Sequence, residues 1–352
     1  MAFGPAAPAL GAALLFGAST PLAKLLVGEV PPLLLAGLLY LGSGLGLGAL
    51  LLIRTIAAKA TEDEVARLTI PRRDVGWLLG AIVAGGMAGP ALLMAGLART
   101  SAASASLLLN IEGVATAAIA WLVFKENTDR RIVLGMAAIV TGGALLAWQP
   151  GSWALSTGAL LVVGACLCWA IDNNLTRKVS TNDAMLIAGI KGVVAGTCNT
   201  ALAVAGGAHF PALPLVGWSL LVGLVGYGVS LMLFVVALRT LGTARTGAYF
   251  SIAPLFGVAL ALFLWPALPS ATFWVSAALM GMGLWLHLTE RHLHAHEHIA
   301  MEHDHPHAHD RHHQHGHEFP WDGGEPHVHP HAHVAMTHEH VHYPDIHHRH
   351  GH

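Results

Sequence analysis

The stretch ASASLLLNIEGVATAAIAWLVFKE, residues 103–126, decides the fold because a related stretch follows about 140 residues later. Both versions begin at an Arg-Thr pair, at 99–100 and 239–240, and pass through small residues into an apolar segment. Glu112-Gly113 lies at the centre of one version and Ala253-Pro254 at the centre of the other, with a shift of one residue between them. A second alignment supports this duplication, since Phe16, Gly17, Leu22 and Lys24 match Trp169, Ala170, Leu175 and Arg177. The sequence therefore predicts two related halves followed by a different segment.

The composition is that of a membrane protein. Of the 352 residues, 54% are hydrophobic and only 11% are charged, which is too little charge for a soluble domain of this size. Residues 1–288 carry a net charge of +5 and residues 289–352 a net charge of −7. We therefore predict three parts: a first repeat at 1–148, a second repeat at 149–288 and a histidine-rich tail at 289–352. The three cysteines all fall in apolar segments, which predicts membrane packing and no disulfide framework: Cys166, Cys168 and Cys198.

Uncharged runs predict the membrane spans. A helix needs about 20 residues at 1.5 Å each to cross the hydrocarbon layer. Ten runs of that kind fall near 7–27, 31–53, 75–97, 102–124, 131–148, 154–175, 184–206, 214–237, 244–265 and 271–288. The predicted fold class is an all-α integral membrane protein with ten transmembrane helices, arranged as two inverted five-helix repeats, plus a disordered tail.

The distribution of basic residues predicts the orientation of these helices. Lys and Arg concentrate in alternate loops, at Arg54, Lys59, Arg67, Arg72, Arg73, Lys125, Arg130, Arg131, Arg177, Lys178, Arg239 and Arg245. The other connectors, around Glu29, Gln149, His209 and Leu268, contain none, and only Lys24 and Arg99 lie near that side. Both termini are therefore expected in the cytoplasm, in the inner membrane of a bacterium.

An odd number of helices per repeat makes the second half enter the bilayer from the opposite side. Inverted repeats of this kind are typical of secondary transporters that alternate access around a central site. A duplicated helical scaffold without a pathway is the alternative. Glycines spaced four apart, Gly42, Gly44, Gly46 and Gly48 in the second span and Gly192 and Gly196 in the seventh, predict close helix packing in either case.

Polar residues inside the spans are the candidate pathway residues. Glu112 lies near the middle of the fourth span, where an unpaired carboxylate costs about 2.5–3.5 kcal/mol on insertion scales. Lys191, the only lysine deep in a span, is its natural partner. The pair is interpreted as a coupling site with its counter-ion, or alternatively as a structural pair.

Two aligned interruptions indicate a central binding site. Asp172, Asn173 and Asn174 in the sixth span occupy the positions of Ser19, Thr20 and Pro21 in the first. These polar or helix-breaking residues are expected to loosen the backbone beside a cavity. Asp172 could instead lie at the cytoplasmic boundary with Arg177. Tyr249 and Ser251 are weaker candidates of the same kind.

These segments resemble a known family. LFGASTPLAK at 15–24, SLLLNIEGVATAAIAWLVFKE at 106–126 and GMAAIVTGGALL at 135–146 are similar to EamA-type members of the drug/metabolite transporter superfamily. The resemblance covers residues 1 to about 288. It implies ten helices, inverted repeats and movement of small organic solutes, often outward. The chain departs from the family pattern at Gly113, which replaces a proline, and at 265–267, where an acidic turn is common.

The C-terminal tail differs sharply in composition from the rest of the chain. Of the 25 histidines, 24 lie from His287 onward, mostly as His-x-His. Residues 298–317 and 333–352 repeat each other with 12 identities, separated by a Pro/Gly-rich hinge. With few apolar residues to bury, this segment is expected to be disordered when free.

Imidazole and carboxylate side chains predict binding of Ni, Co or Zn by the tail. The candidate ligands are His298, His303, His305, His307, His312, His313, His315, His317, His333, His338, His340, His342, His347, His348, His350 and His352. A pH sensor is the competing interpretation, because imidazoles become charged below about pH 6. No further cofactor is expected.

The sequence as a whole favours a transporter, with a small-molecule or metal-ion substrate, the lipid bilayer as its surroundings and a homodimer left open. The leading hypothesis is an exporter whose tail links transport to transition metals. A metabolite or drug exporter whose tail only buffers metal, and a non-transporting membrane-anchored metal store, are the alternatives. No nucleophile-base set or phosphate-binding loop appears, so no enzyme is predicted, and the acidic tail disfavours nucleic acid.

Overall fold

The structure is a computed structural model. It describes residues 6–57, 70–124, 130–148, 155–179, 182–241, 246, 249–266, 268–289, 293–298, 301–307, 327–333 and 336–341. The chain divides into two compact units, Met1–Glu290 and Arg291–His352.

Helices make up the apolar part of the first unit. The α-helices of the first half are α1 Ala7–Val27, α2 Pro32–Ala57, α3 Arg72–Ala81, α4 Gly89–Leu97, α5 Ala102–Leu108, α6 Asn110–Phe124 and α7 Arg130–Ala147. Those of the second half are α8 Thr157–Val179, α9 Ala184–Ala205, α10 Leu213–Gly223, α11 Ser230–Leu241, α12 Ala253–Leu264 and α13 Ala271–Leu288. Two π-helical turns, π1 Ile82–Ala88 and π2 Leu224–Val229, join α3 to α4 and α10 to α11.

Eight helical segments of the described residues are long and apolar enough to cross a membrane. They cover the first eight of the ten predicted spans, while the ninth and tenth correspond to shorter apolar helices at Ala253–Leu264 and Ala271–Leu286. Helix α12 begins nine residues later than the run predicted from residue 244, and Pro254 lies in its first turn. Proline is favoured there because its missing N–H would have no partner within the helix. The protein is therefore a multi-pass membrane protein.

Glycines set the distance between α2 and α9. A Cβ atom at Gly192 would lie 2.5 Å from the Cα of Gly44, and one at Gly196 would lie 2.5 Å from the backbone nitrogen of Leu41. Both distances are too short for a side chain, so the two backbones touch directly. The close packing predicted from the glycine spacing is thus confirmed for this helix pair.

The third and eighth spans were predicted as regular helices, and each instead contains a π-helical turn. Such a turn inserts an extra residue and displaces backbone carbonyls from their usual i−4 partners. Gly85 and Gly86 lie in π1, and Gly226 and Gly228 lie in π2. The fourth span is also divided, since α5 ends at Leu108 and α6 begins at Asn110.

Packing joins the two halves in a reciprocal way. The first helix of the first half, α1, packs against π2, α11 and α12, which are the third and fourth spans of the second half. The first helix of the second half, α8, packs against α4, π1 and α6, which are the third and fourth spans of the first half. The core lies between these helices, with Leu34, Leu39, Met94 and Val162 fully buried.

The tail was expected to be disordered, and the described part of it differs from that expectation. It contains four strands, β1 Leu293–His298, β2 Met301–His307, β3 His327–His333 and β4 Met336–Val341. Strand β1 pairs with β4 and β2 pairs with β3, both antiparallel. The alternation of histidine with other residues has a period of two, which is the period of a strand.

Candidate functional site

The two predicted interruptions, at 19–21 and 172–174, do not break their helices. Helices α1 and α8 run through them without a gap. Their polar side chains bond to carbonyls of the same helix: the Ser19 hydroxyl donates to the Phe16 carbonyl at 2.6 Å and the Asn174 amide donates to the Ala170 carbonyl at 2.8 Å. Local bonds of this kind satisfy polar groups without opening the backbone. The expectation of loosened backbone at these positions was therefore wrong.

Lys191 pairs with Asp172, and not with Glu112 as predicted. Its ammonium nitrogen lies 2.6 and 2.7 Å from the two carboxylate oxygens of Asp172. The Thr176 hydroxyl donates to the same carboxylate at 2.8 Å, from one turn further along α8. Asp172 is buried between α8 and α9. The result is a largely buried ion pair in which Asp172 accepts hydrogen bonds from both Lys191 and Thr176.

Glu112 bonds to Asn173, the neighbour of Asp172. The amide nitrogen of Asn173 lies 3.0 Å from the Glu112 carboxylate and 3.2 Å from the Thr116 hydroxyl oxygen. Asn174 donates to the Thr116 carbonyl at 3.3 Å, so three hydrogen bonds link α6 and α8. Asn173 is exposed and Glu112 half-buried. This carboxylate–amide cluster is therefore open, whereas the ion pair next to it is closed.

The π-helical turn π1 forms one wall of the ion pair. A Cβ atom at Gly85 would overlap the carboxylate of Asp172, so only glycine allows α8 this close. The Gly85 carbonyl accepts two bonds, from the Tyr40 hydroxyl at 2.8 Å and the Trp169 indole at 2.9 Å. Asn199 donates to the carbonyl of Met87 at 3.2 Å. Side chains from three neighbouring helices thus satisfy the carbonyls that the π-helical turn releases.

Ser19 has the equivalent position in the other half. A Cβ atom at Gly226 in π2 would lie 2.5 Å from the Ser19 Cβ, as Gly85 in π1 lies against Asp172. Ser19 and Thr20 are both buried, with 1% of their surface exposed. Tyr249, the remaining candidate, is 38% exposed and precedes α12. The helix contacts therefore match between halves, whereas Ser19 in the first half stands where the second half has the charged Asp172.

An aromatic cluster fills the space between the halves. Phe16 lies at the centre, with its ring centroid 6.4 Å from Trp169, 5.9 Å from Tyr227 and 5.4 Å from Phe250. Tyr40 joins the cluster through Tyr227 at 5.5 Å. Rings at these distances attract each other and exclude water. The cluster therefore closes the interior of the described bundle beside π1.

Lys24 and Arg99, the two cations on the cation-poor side, bind the C-terminal end of the third span. Lys24 donates to the carbonyl of Leu97 and to that of Thr100, the latter at 2.9 Å. Arg99 donates to the Ala95 carbonyl at 2.8 Å. Unpaired carbonyls at a helix end carry partial negative charge, which both cations neutralise. Their position is explained by helix capping.

The predicted metal ligands fall into two groups. His298, His303, His305, His307, His333, His338 and His340 lie in the strands of the tail. The others lie outside the described residues: His312, His313, His315, His317, His342, His347, His348, His350 and His352. Within the described part of the chain, no three His, Cys, Asp or Glu side chains are grouped to hold a metal ion. All three cysteines are free, as predicted.

Sequence reasoning missed Thr116, Thr176, Tyr40, Trp169 and the π-helical turns. A signal for the turns exists, since Gly85-Gly86 and Gly226-Tyr227-Gly228 are glycine-rich and occupy corresponding spans. In the sequence, Trp169 is notable only as the counterpart of Phe16, yet it is 5% exposed and its indole donates a hydrogen bond to π1. Nothing in the sequence around Trp169 indicates that its indole bonds to a carbonyl of another helix.

A multi-pass helical bundle with polar groups bonded across its interior is compatible with a membrane transporter, and comparisons with known proteins give the family. Residues 6–148 and 156–289 both match the EamA-like transporter family, and the chain belongs to this family. The resemblance found in the sequence is confirmed. The prediction that the protein is not an enzyme is confirmed by the same finding.

Individual proteins that are similar to this chain include a transporter from an archaeon and a protein of known crystal structure. An uncharacterized transporter of Methanothermobacter thermautotrophicus (strain ATCC 29096 / DSM 1053 / JCM 10044 / NBRC 100330 / Delta H) is 26% identical over 263 residues, which are 72% of this chain and 77% of that protein. A protein of known crystal structure superimposes with a TM-score of 0.59 over 80% of this chain and 95% of its own, at 17% identity. At that identity the superposition shows a shared fold alone.

Proposed function

We propose that this transporter is a secondary carrier that exports small solutes through the inner membrane of a bacterium. It works by alternating access between two inverted five-helix repeats, and its tail binds Ni, Co or Zn on the cytoplasmic side. The observation that carries this proposal is the pair of polar clusters on α8: a largely buried ion pair at Asp172–Lys191 and an open carboxylate–amide cluster at Glu112–Asn173.

The reciprocal packing supports inverted repeats. Each first helix contacts the third and fourth spans of the other half, and each third span contains a π-helical turn with a glycine against the first helix. Two halves related in this way can exchange roles, which gives outward-open and inward-open states of similar energy. Close glycine contacts between α2 and α9 provide a pivot that needs no side-chain rearrangement.

The chemistry of the two clusters supports coupling to a cation. An accessible carboxylate can take up a proton or another cation, and neutralising it removes most of the penalty for moving it through an apolar barrier. Neutralising Glu112 would weaken its hydrogen bond from the Asn173 amide and so change the contact between α6 and α8. Asp172, the preceding residue, projects about 100° away around the same helix and fixes α8 to α9. Uptake at Glu112 would thus loosen one side of α8 while the other stays held.

The composition and register of the tail support metal binding. In the paired strands five histidine positions lie directly opposite histidines: 294 and 340, 296 and 338, 303 and 331, 305 and 329, 307 and 327. Neutral imidazole is a ligand for Zn, Ni and Cu(II), and the absence of cysteine from the tail disfavours Cu(I).

Elemental analysis of bacterial cells tests both the role of Glu112 in transport and the role of the tail in metal binding. Cells expressing the full chain, a chain ending at Arg291, Glu112→Gln and Glu29→Gln are grown in equal Ni, Co and Zn, and their metal content is measured. Glu29 is the matched control, because it is an exposed carboxylate in a connector outside the interior clusters. We expect the full chain and Glu29→Gln to lower cell metal, and the truncated chain and Glu112→Gln to lose that effect.

Other outcomes select the alternatives. Equal metal content and tolerance for the full and truncated chains would refute the metal role and leave an ordinary solute exporter. If the full chain raises cell metal, if Glu112→Gln changes nothing and if proteoliposomes move no solute, the protein is a membrane-anchored metal store.

A further inference from the structure

A cavity of about 650 Å³ lies at one end of the bundle. It is lined by the C-terminal ends of α1, α7 and α12 and by the N-terminal ends of α5 and α13, and it is partly open to the outside of the bundle. Helices of both halves contribute to its wall. Because successive spans alternate in direction, these five ends all lie on one face of the bundle, the face whose connectors contain Arg99 as their only lysine or arginine. That face is the outer one under the proposed orientation.

Lys24 is the only charged residue among the described residues that line this cavity. Its ammonium group has three N–H donors. Two of them reach the carbonyls of Leu97 and Thr100, which leaves one for a ligand. Among the described residues Lys24 forms no ion pair with a carboxylate. Among the described residues, the positive charge of Lys24 in this cavity is therefore balanced by carbonyl dipoles.

The rest of the lining is aromatic, aliphatic and hydroxylic. Trp148, Trp265 and Phe273 form the apolar walls, and Ser104 and Ser270 contribute hydroxyl groups. Ligand sites typically combine apolar walls with a few polar groups that fix orientation. A single cation with this surrounding selects a molecule with one negative group and an apolar body. A doubly charged anion would leave its second charge against the aromatic wall.

We propose that this cavity binds small organic monocarboxylates, with the carboxylate on Lys24 and the apolar body against Trp148 and Trp265. The inference rests on the proposed transport function in one respect only: it makes the cavity the outer end of the pathway and organic anions a substrate class. The charged headgroup of an anionic lipid offers the same chemistry, so the experiment must separate the two sources.

Equilibrium binding to the purified full chain in phospholipid-free detergent tests the proposal, with radiolabelled benzoate as the probe. Benzyl alcohol and benzylamine, which have the same ring without the negative charge, serve as competitors. Lys24→Gln removes the charge and retains an N–H donor. Arg99→Gln is the matched control, because Arg99 also donates to a C-terminal carbonyl of the third span but does not line the cavity. Lys24→Arg keeps the charge.

We expect saturable benzoate binding that Lys24→Gln weakens about tenfold or more, the range for losing a hydrogen bond to a charged group. Lys24→Arg and Arg99→Gln should bind benzoate as the unmodified chain does, and neither competitor should displace it. Thermal unfolding of each variant in the same detergent shows whether the fold is kept. If Lys24→Gln does not fold, the comparison of benzoate with benzyl alcohol on the unmodified chain decides.

Three results would overturn the proposal: no benzoate binding, equal binding by Lys24→Gln, or displacement by benzyl alcohol. Displacement of benzoate by added phosphatidylglycerol but not by phosphatidylcholine would show that lipid headgroups compete for the cavity, and phosphatidylglycerol binding without benzoate binding would overturn it in favour of lipid. Because the assay measures binding without transport, a chain that binds benzoate but moves no solute in proteoliposomes would refute the proposed function and leave this site standing.

Discussion

At the scale of single residues, the ion pair between Asp172 and Lys191 makes a direct prediction about stability. The two side chains are 9% and 13% exposed, so neither charge can be solvated if the other is removed. Losing one member of a buried pair typically destabilises a protein by about 3–5 kcal/mol, whereas replacing both is often nearly neutral. Asp172→Asn and Lys191→Gln should each lower stability in that range, and the double variant should recover most of it. A double-mutant cycle on detergent-solubilised protein measures the coupling.

The exposed pair between Arg54 and Asp183 is the control for this cycle. Its atoms are 3.4 Å apart and the Arg54 side chain is 57% exposed. Arg54→Gln should change stability by less than about 1 kcal/mol, because exposed ion pairs contribute little. If the double variant is as unstable as the sum of the two single variants, Asp172 and Lys191 do not act as a pair.

Both members of that pair were singled out from the sequence, yet the predicted partner of Lys191 was wrong. A charged residue in an apolar run is visible in the sequence because of its cost at membrane depth. Which carboxylate it meets depends on the rotation of α8 relative to α9 and α6, and that rotation is set by contacts such as Gly85 against Asp172. Such a contact joins residues 87 positions apart and leaves no local pattern.

At the scale of helices, two glycines of α2 have different surroundings: Gly44 contacts α9, whereas Gly48 has open space beside it. A Cβ atom at Gly44 would lie 2.5 Å from the Gly192 carbonyl carbon, whereas nothing lies within 4 Å of one at Gly48. Gly44→Ala should therefore destabilise the protein by about 1–3 kcal/mol through overpacking. Gly48→Ala should be neutral or stabilising by up to about 1 kcal/mol, because alanine favours a helix. Thermal unfolding of both variants measures the difference.

If both glycine variants are as stable as the unmodified protein, α2 and α9 are not in direct backbone contact. If both variants lose the same amount of stability, the loss is a general effect of alanine on α2. The comparison is well matched, since both substitutions add one methyl group to the same helix one turn apart.

Helix positions were easier to predict than helix shape. Long apolar runs bounded by charge identify spans because their length follows from the bilayer thickness. The π-helical turns in the third and eighth spans were not predicted, since hydropathy does not distinguish a π-helix from an α-helix. In the third span, carbonyls of π1 accept hydrogen bonds from Tyr40, Trp169 and Asn199 of other helices. The π-helical shape of these spans thus depends on contacts with other helices, and a local sequence pattern does not predict it.

At the scale of the whole molecule, the proposed orientation makes a prediction that labelling can test. In a variant without the three native cysteines, single cysteines replace Ala60, His209 or Ala300. The loop containing residue 60 is rich in basic residues and the connector containing residue 209 has none, so they should face opposite sides. A membrane-impermeant maleimide should label positions 60 and 300 in inside-out vesicles and position 209 in right-side-out vesicles.

The same experiment separates a topological error from an error about the tail. Positions 60 and 209 are divided by five spans, an odd number, so labelling of both from one side would refute the span assignment itself. Labelling of position 300 from the side of position 209 would leave the bundle intact but put the histidines outside the cell. The tail could then meet only external metal, and an exporter supplied from the cytoplasm could not use it. If all three positions are labelled as expected, the tail lies on the cytoplasmic side, where an exporter takes up its substrate.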